Sequence, residues 1–314
     1  MTTRRINIMN EEDLKGLKLL LDKIPVDKLY DDLFSPPLKK VGELLSNVIG
    51  VGNIIPKLAN ARSEIYLENN LKKYKEKLDQ IPEDDLQKVP EQIGLPIIDK
   101  LTSTNDENLS NAFINLLTKA SSKNNVATVH PSFVSIIDNL SVDEAILLFK
   151  YKNQETIPCI DIVHTRELFA KEPPKQTHSE VKSREELLAQ VEHLKSRIPT
   201  NPVKVMWNLT GIEYEEDIKL YFPQNIDLYL DNLQRLGIIS FSDGRELKRR
   251  DEYEKLKDFY KKVIDDKRNN LPKDTPTDKH KIIITYRFIE FTSFGQAFIN
   301  AAIKDIGEKS EEVD

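Results

Sequence analysis

The chain has 314 residues, 39% of them hydrophobic and 31% charged, with a formal net charge of -6. That length holds one large domain or two ordinary ones. The acidic balance argues against a protein that coats nucleic acid over its whole surface, while leaving room for a local basic patch. Only 10 glycines are present, which disfavours turn-rich all-β folds and favours helices.

The single cysteine, Cys159, can build neither an internal disulfide nor a cysteine-based zinc site alone, so a reducing cytoplasm is the expected home. No apolar stretch follows Arg4 and Arg5, so no secretory signal is expected. No window approaches the ~18 apolar residues that span a bilayer. The triplets at Asn108, Asn139 and Asn208 are accordingly not read as glycosylation sites.

In chain order, Leu14, Leu17, Leu20 and Leu21 mark a first helical face that Pro25 stops. Short helices follow, broken by Pro36-Pro37 and by Gly50 and Gly52. The segment "VGELLSNVIGVGNIIPKL" is apolar enough to lie on a membrane surface, but it lacks Trp or Phe anchors and is read as core. From Pro56 to about Gln80 runs the longest predicted helix, with Leu67, Leu71, Tyr74, Leu78 and Ile81 at 4-3-4-3 spacing. Lys72, Lys73, Lys75 and Lys77 make its solvated face. Pro82 and Pro90 delimit a further short predicted helix, and another precedes Thr102.

Leu109, Phe113, Leu116 and Leu117 form the next stripe, and the loop "SSKNNVATVH" ends it. Phe133, Ile136, Ile137 and Leu140, then Ala145, Ile146, Leu148 and Phe149, continue the core. "IPCIDIVHTREL" is the first stretch that reads as extended, through the β-branched Ile160, Ile162 and Val163. "AKEPPKQTHSEVK" is polar and carries prolines, and the domain linker is placed there. Beyond it, Leu187, Leu188, Val191, Leu194 and Ile198 repeat helically behind a capping box of Ser183 and Glu186.

The last third changes style. "NIDLYLDNLQRLGIISF" reads as a helix ending at Gly237 and running into a short strand. A charged excursion spans 243–281, a strand follows from Ile282 to Phe291, and a helix bears Phe294, Phe298 and Ala301. That order is expected of a winged-helix-like module with an enlarged wing. The expected organisation is a helical domain over 1–170, a linker and connecting helix over 171–199, and a winged-helix-like module over 200–314 with its charged insertion. The expected fold class is mainly α, with a small α+β C-terminal module.

Three groups of residues could carry chemistry. His130 precedes Pro131, and proline at a first helical position places His130 at the helix start. Ser141 with Glu144 completes a capping box, and Asp143 lies in the first turn, where acids favour the helix dipole. His164, His178 and His193 are scattered, with no compact metal-ligand spacing, so no metal and no cofactor is expected. Cys159 is read as a buried structural thiol. The chain has no phosphate-binding glycine loop and no Gly-x-Ser-x-Gly elbow, and no catalytic residue is assigned.

The most suggestive stretch is "GRELKRRDEYEKLKDFYKK". Arg245, Lys248, Arg249, Arg250, Lys255, Lys257, Lys261 and Lys262 concentrate cations around Tyr253, Phe259 and Tyr260. Cations with interleaved aromatics can hold phosphates and stack on bases. Glu246, Asp251, Glu252, Glu254 and Asp258 interleave as well, so a salt-laced, solvated helix explains the same letters.

Four ordered blocks, "LSNAFINLLTKASS", "VHPSFVSIIDNLSVDEAILL", "YLDNLQRLGII" and "FTSFGQAFINAA", together resemble the Abi-alpha (abortive-infection alpha) family, over approximately Ile24 to Ala302. The resemblance implies a bacterial or phage-borne cytoplasmic protein of phage defence, one that senses infection or inhibits a host process. It brings no catalytic residues to carry over. Its "HPSF" and "LSVDEA" blocks offer His130, Ser132 and Asp143 as a partner surface, although capping explains the same residues locally. The alternatives are a nucleic-acid-binding regulator acting through the basic stretch, and a helical adaptor or homo-oligomer with a protein partner.

Overall fold

A computed structural model describes residues 61–172, 183–198 and 200–308. The helical readings before Pro56, His178 and most of the linker lie outside the described residues. The described residues hold ten α-helices and five strands, about 52% helix and 19% strand. They form two compact units, one of residues 61–153 with 293–308, the other of residues 154–292. The expected mainly α class is therefore corrected: this is an α+β fold.

The first unit is helical. Helix α1 (Ala61–Leu78) buries Leu67, Leu71, Tyr74 and Leu78, the stripe its spacing predicts. Residues 82–90 then depart from expectation, with turns in place of a short helix. The reason is a tertiary tie. The Asp85 carboxylate accepts from Ser122 Oγ at 2.6 Å and from the Asn124 N–H at 2.9 Å, while its carbonyl takes the Lys123 N–H at 2.7 Å. The hydrogen bond from Ser122 leads in holding the Asp85 carboxyl below its usual range. Side-chain competition of this kind pulls Asp out of helices.

Helix α2 (Glu91–Leu101) tolerates Pro96 and buries Ile93, Ile97, Ile98 and Leu101. Helix α3 (Glu107–Ala120) starts on Asp106, whose side chain accepts the Leu109 N–H at 2.9 Å. Every residue from Ala112 to Ala120 is buried, so α3 is the axis of the unit rather than a surface helix. Helices α4 (Ser132–Asp138) and α5 (Val142–Tyr151) complete the first run.

The second unit is built on a five-stranded antiparallel sheet. Strand β1 (Thr156–Phe169) is followed by α6 (Arg184–Lys195), then β2 (Arg197–Ile198) and β3 (Val203–Leu209). Helix α7 (Ile226–Arg235) leads into β4 (Ile239–Asp243). The expected stop at Gly237 is present as a left-handed cap with φ 75°. The Ile238 N–H reaches the Leu233 carbonyl and the Gly237 N–H the Gln234 carbonyl, the double bond of a Schellman ending. Helices α8 (Arg250–Phe259) and α9 (Lys261–Asn269) occupy the charged stretch, and β5 (Asp278–Phe291) closes the sheet.

The sheet order is β2-β1-β5-β4, with β3 also pairing β1. β1 and β5 run antiparallel from Thr156 opposite Glu290 to Leu168 opposite Asp278. Strand content is thus not confined to a small winged-helix-like module after residue 200. Two 14-residue strands from the two ends of the unit are each other's principal partners. Their polar halves, around Arg166–Glu167 and Lys279–Lys281, dilute the apolar signal and hide the true length. Tyr253, Tyr260 and Ile264 of the helical arm join Ile160, Ile162 and Leu209 of the sheet in one buried cluster. The aromatics of the charged stretch thus include two that anchor the arm.

Helix α10 (Ser293–Phe298) and a π turn (Ile299–Ile303) return the chain to the first unit. Phe298 and Ile299 are fully buried, and Phe133 packs edge-on against Phe298 with ring centroids 5.5 Å apart. The Asn115 amide donates to the Ile303 carbonyl at 3.2 Å. Lys119 donates to the carbonyls of Asn300 and Lys304. The last turn of the C-terminal segment is therefore satisfied by side chains of α3.

Candidate functional site

The stretch from Arg245 to Lys262 is positioned by two buried tyrosines. Tyr253 is fully buried, donates to the Arg287 carbonyl at 3.0 Å and accepts the Glu246 N–H. Burial is the main cause of its raised phenol pKa. Tyr260 donates to Glu213 at 2.9 Å, and burial first, then Glu213, pushes its pKa above the usual value.

With the helices fixed by those anchors, the eight cations separate. Arg245 lies over the Tyr286 ring at 4.8 Å and donates to Glu254 at 2.6 Å. Lys257 also donates to Glu254, and the two hydrogen bonds, Lys257 first, hold that carboxyl below its usual range. Arg249 pairs with Glu252 at 3.1 Å. These three are committed to the arm's own structure. Lys248, Arg250, Lys255, Lys261 and Lys262 are exposed and make no ion pair among the described residues. Beside them Phe259, half exposed, meets Tyr214 with ring centroids 4.7 Å apart, and Tyr260 edge-on at 4.9 Å. Asp251 and Asp258 are exposed among these cations, so the outer surface of the arm is of mixed charge, with an exposed aromatic pair at its side.

Deeper in the sheet lies a cluster that sequence reading missed. Asp161 is 0% exposed on β1. Its carboxylate accepts from the Lys204 ammonium and from the Asn208 N–H at 2.9 Å, with the Arg287 guanidinium 3.8 Å away. Arg287 also donates to the Asn208 side-chain oxygen at 3.1 Å and to Asp243 at 3.0 Å, and lies over the Phe241 ring at 4.8 Å. Asn208 has φ 54°, the one positive-φ residue other than glycine among the described residues. Asparagine tolerates that region better than most side chains.

The cluster ties β1, β3, β4 and β5 together, and a buried carboxylate needs that many partners. Cys159, opposite Arg287, is buried and its thiol is pushed up to about 12 by desolvation, so it stays protonated and inert. The signal was available: one aspartate interrupts the apolar run "IPCIDIV".

The scattered histidines separate as well. His164 Nε2 lies 3.0 Å from His280 Nδ1 and the rings stack. Asp278 accepts both Nε and Nη2 of Arg166, at 3.0 and 2.7 Å, and lies 3.3 Å from His280 Nε2. The bond from Arg166 leads in holding the Asp278 carboxyl below its usual range. His193 stacks on Phe169 with centroids 4.2 Å apart. No group of three His, Cys, Asp or Glu side chains able to hold a metal ion occurs among the described residues.

In the first unit, the His130 ring accepts the Ser132 N–H at 3.2 Å and lies 2.7 Å from the Ser132 hydroxyl, while the cap position falls one residue later than expected, on Pro131, with no side-chain cap. Ser141 and Glu144 form the expected capping box, at 3.3 and 2.6 Å. Asp143 and Glu144 are both buried, whereas His130 is exposed and Ser132 half-buried. Of the three residues offered as a partner surface, His130 and Ser132 are in mutual contact at a helix start, and Asp143 sits within the core of its unit.

What emerges is a two-unit α+β protein whose sheet is latched by a buried ion cluster and carries a charged helical arm. The family described as Abortive infection alpha matches residues 66–302, and the chain belongs to that family. No curated protein and no solved structure gives a significant match. No helix among the described residues is long and apolar enough to cross a membrane.

Proposed function

We propose that this protein acts in abortive infection, as a phage-defence protein of the bacterial cytoplasm that senses infection or inhibits a host process. The observation that carries the reading is membership of the Abortive infection alpha family over residues 66–302. A phage challenge of cells with and without the gene, at low and high multiplicity, tests it. The expected outcome is protection at low multiplicity and early culture collapse at high multiplicity. Equal plaque counts and growth curves with and without the gene, across a broad phage panel, would overturn it.

A second reading, nucleic-acid binding through the arm, is favoured by the exposed Lys255, Lys261 and Lys262 beside the Tyr214–Phe259 pair. Electrostatic contact of this kind weakens steeply with salt, and base stacking on aromatics is sequence-tolerant. Fluorescence anisotropy with single-stranded DNA and RNA is the direct measurement. Joint replacement of Lys255, Lys261 and Lys262 by alanine abolishes binding in this reading. Replacement of Arg245 or Lys257 acts instead through the arm's folding, because both are tied to Glu254. Unchanged affinity of the triple variant would sink this reading.

A further inference from the structure

At the far end of β1 and β5, four polar side chains follow one another on a single face of the sheet. Arg166 lies opposite His280, His164 opposite Ile282 and Asp278 opposite Leu168, so the alternation of the strands puts all four on that face. Arg166 donates to Asp278, Asp278 lies 3.3 Å from His280 Nε2, and His280 Nδ1 lies 3.0 Å from His164 Nε2. These contacts fix the hydrogens. An ionised carboxylate only accepts, so His280 carries its hydrogen on Nε2 and leaves Nδ1 bare, and His164 donates to it from Nε2. A first proton, taken on His164 Nδ1, leaves that bond intact. A second must go on His280 Nδ1, and two N–H groups then face each other across the contact. Both imidazolium rings and Arg166 would share one carboxylate. Asp278 is the only acid in ion-pair contact with either ring among the described residues. The other charges near them are engaged or turned away. Asp274 accepts the His280 backbone N–H at 2.8 Å and lies 3.7 Å from Lys279. Glu167, held by Arg197 of β2, and the exposed Lys281 belong to the opposite face. Lys204 of β3 is committed to Asp161, and on α9, which packs on β5, Asp265 pairs with Arg268.

We propose that the His164–His280 pair is a proton-operated latch, closed while at most one ring is charged and opened by the second proton, which releases the end of the sheet that carries β2 and α6. Histidine is the side chain whose charge ordinarily changes between about pH 5 and 8, so mild acid is the trigger. The open end holds both protons and the closed end only one. Opening therefore takes up a proton and grows as pH falls, by up to about tenfold per pH unit. What is released follows from the topology. Strand β2 pairs only with Leu168 and Phe169 of β1, beyond the histidines. Helix α6 hangs on the same end: His193 stacks on Phe169, Glu192 pairs with Lys171 at 2.6 Å, and the Ser196 carbonyl takes the Ala170 N–H at 3.1 Å. No residue of α6 is buried, so it has no core of its own to hold it in place. The other half of β1 stays fixed, because Ile160 and Ile162 lie in the buried cluster with Tyr253 and Tyr260. The opening is accordingly local.

Amide hydrogen exchange of the whole chain at pH 7.5 and 5.5, corrected for the intrinsic change in rate, tests the latch. Residues 164–169, 278–282 and 186–198 should speed up by at least about tenfold at the lower pH, relative to residues 159–162 of β1. His164→Gln should abolish that acceleration, because its amide still donates to His280 Nδ1 and takes up no proton. His193 sits on Phe169 at the same end and titrates too, so His193→Gln separates the two triggers, and the acceleration should survive it. Circular dichroism at pH 7.5 checks that both variants are folded. The parent chain gives an independent reading through the ring nitrogen shifts of His164 and His280. The pair should take up its protons in two steps, with the opening following the second. Exchange that is the same at both pH values overturns the proposal. So does an acceleration that His164→Gln keeps or His193→Gln removes. Opening that follows the first protonation step would overturn it equally.

Discussion

Helices α3 and α6 look alike as text. Each has an apolar residue every third or fourth position, an N-cap one residue ahead, acids in its first turn and a basic residue in its last. In the folded protein, α3 is buried along nine consecutive residues and α6 has none buried. Periodicity reports that a stripe exists and not what covers it. The difference lies in the polar positions. In α3 the residues between the apolar ones are small or are spent inside the unit: Thr118 on the Ile114 carbonyl, Asn115 and Lys119 on the C-terminal segment. In α6 they are glutamate, glutamine and lysine, which keep most of the circumference in water.

The comparison is broken most directly by truncation. Leu117→Ala in α3 removes a fully buried side chain and should cost about 2–5 kcal/mol of stability by urea denaturation. Leu188→Ala in α6, a 59% exposed side chain, should change the same measurement by less than about 0.5 kcal/mol. If both cost alike, α6 is covered within its own chain. Next in size is the sheet latch. Asp161→Asn removes the charge that Lys204 and Arg287 face, and breaking such a buried pair is expected to cost about 3 kcal/mol.

Lys119 sharpens the same contrast through pH. Burial pushes its ammonium down to about 8, against an ordinary value of 10.5. Below pH 8 the lysine is charged whether the chain is folded or unfolded, and the full burial cost is borne. Between pH 8 and 10.5 the unfolded chain holds the proton that the folded one has released, so this residue makes stability rise with pH. The rise should be present in the parent and absent from Lys119→Met, measured as the difference between denaturation midpoints at pH 7.5 and 10. At pH 7.5 that variant should itself lose about 1–3 kcal/mol, because the carbonyls of Asn300 and Lys304 lose their donor.

The legible parts of the fold are those encoded by near neighbours. The stripe from Leu67 to Ile81, the Ser141–Glu144 and Ser183–Glu186 boxes and the stop at Gly237 are all decided within a few residues, and each is present as read. The turns of residues 82–90 were not legible, because Asp85 is held by Ser122 and Asn124 from beyond the next two helices. The pairing of β1 with β5 was not legible for the same reason at greater range. Without it the strands looked few, and the fold looked mainly α. The site divides likewise. The cationic stretch stood out in the sequence. Which cations are spent on Glu252 and Glu254, and which remain exposed, depends on how Tyr253 and Tyr260 seat the two helices.

The finest form of the comparison uses one substitution made twice. Ser141 and Ser183 head identical capping boxes, one on a helix whose inner residues are buried and one on a helix with none. Losing such a cap typically costs about 1 kcal/mol where the helix is part of the cooperative unit. Ser141→Ala should therefore lower global stability by that amount. Ser183→Ala should leave the global midpoint within about 0.5 kcal/mol, since fraying α6 exposes little that is not exposed already. Its effect should appear instead as faster amide exchange confined to residues 186–195. A global loss equal to that of Ser141→Ala would mean that α6 folds and unfolds with the sheet. Its open apolar face would then belong to a helix as stable as the sheet that carries it.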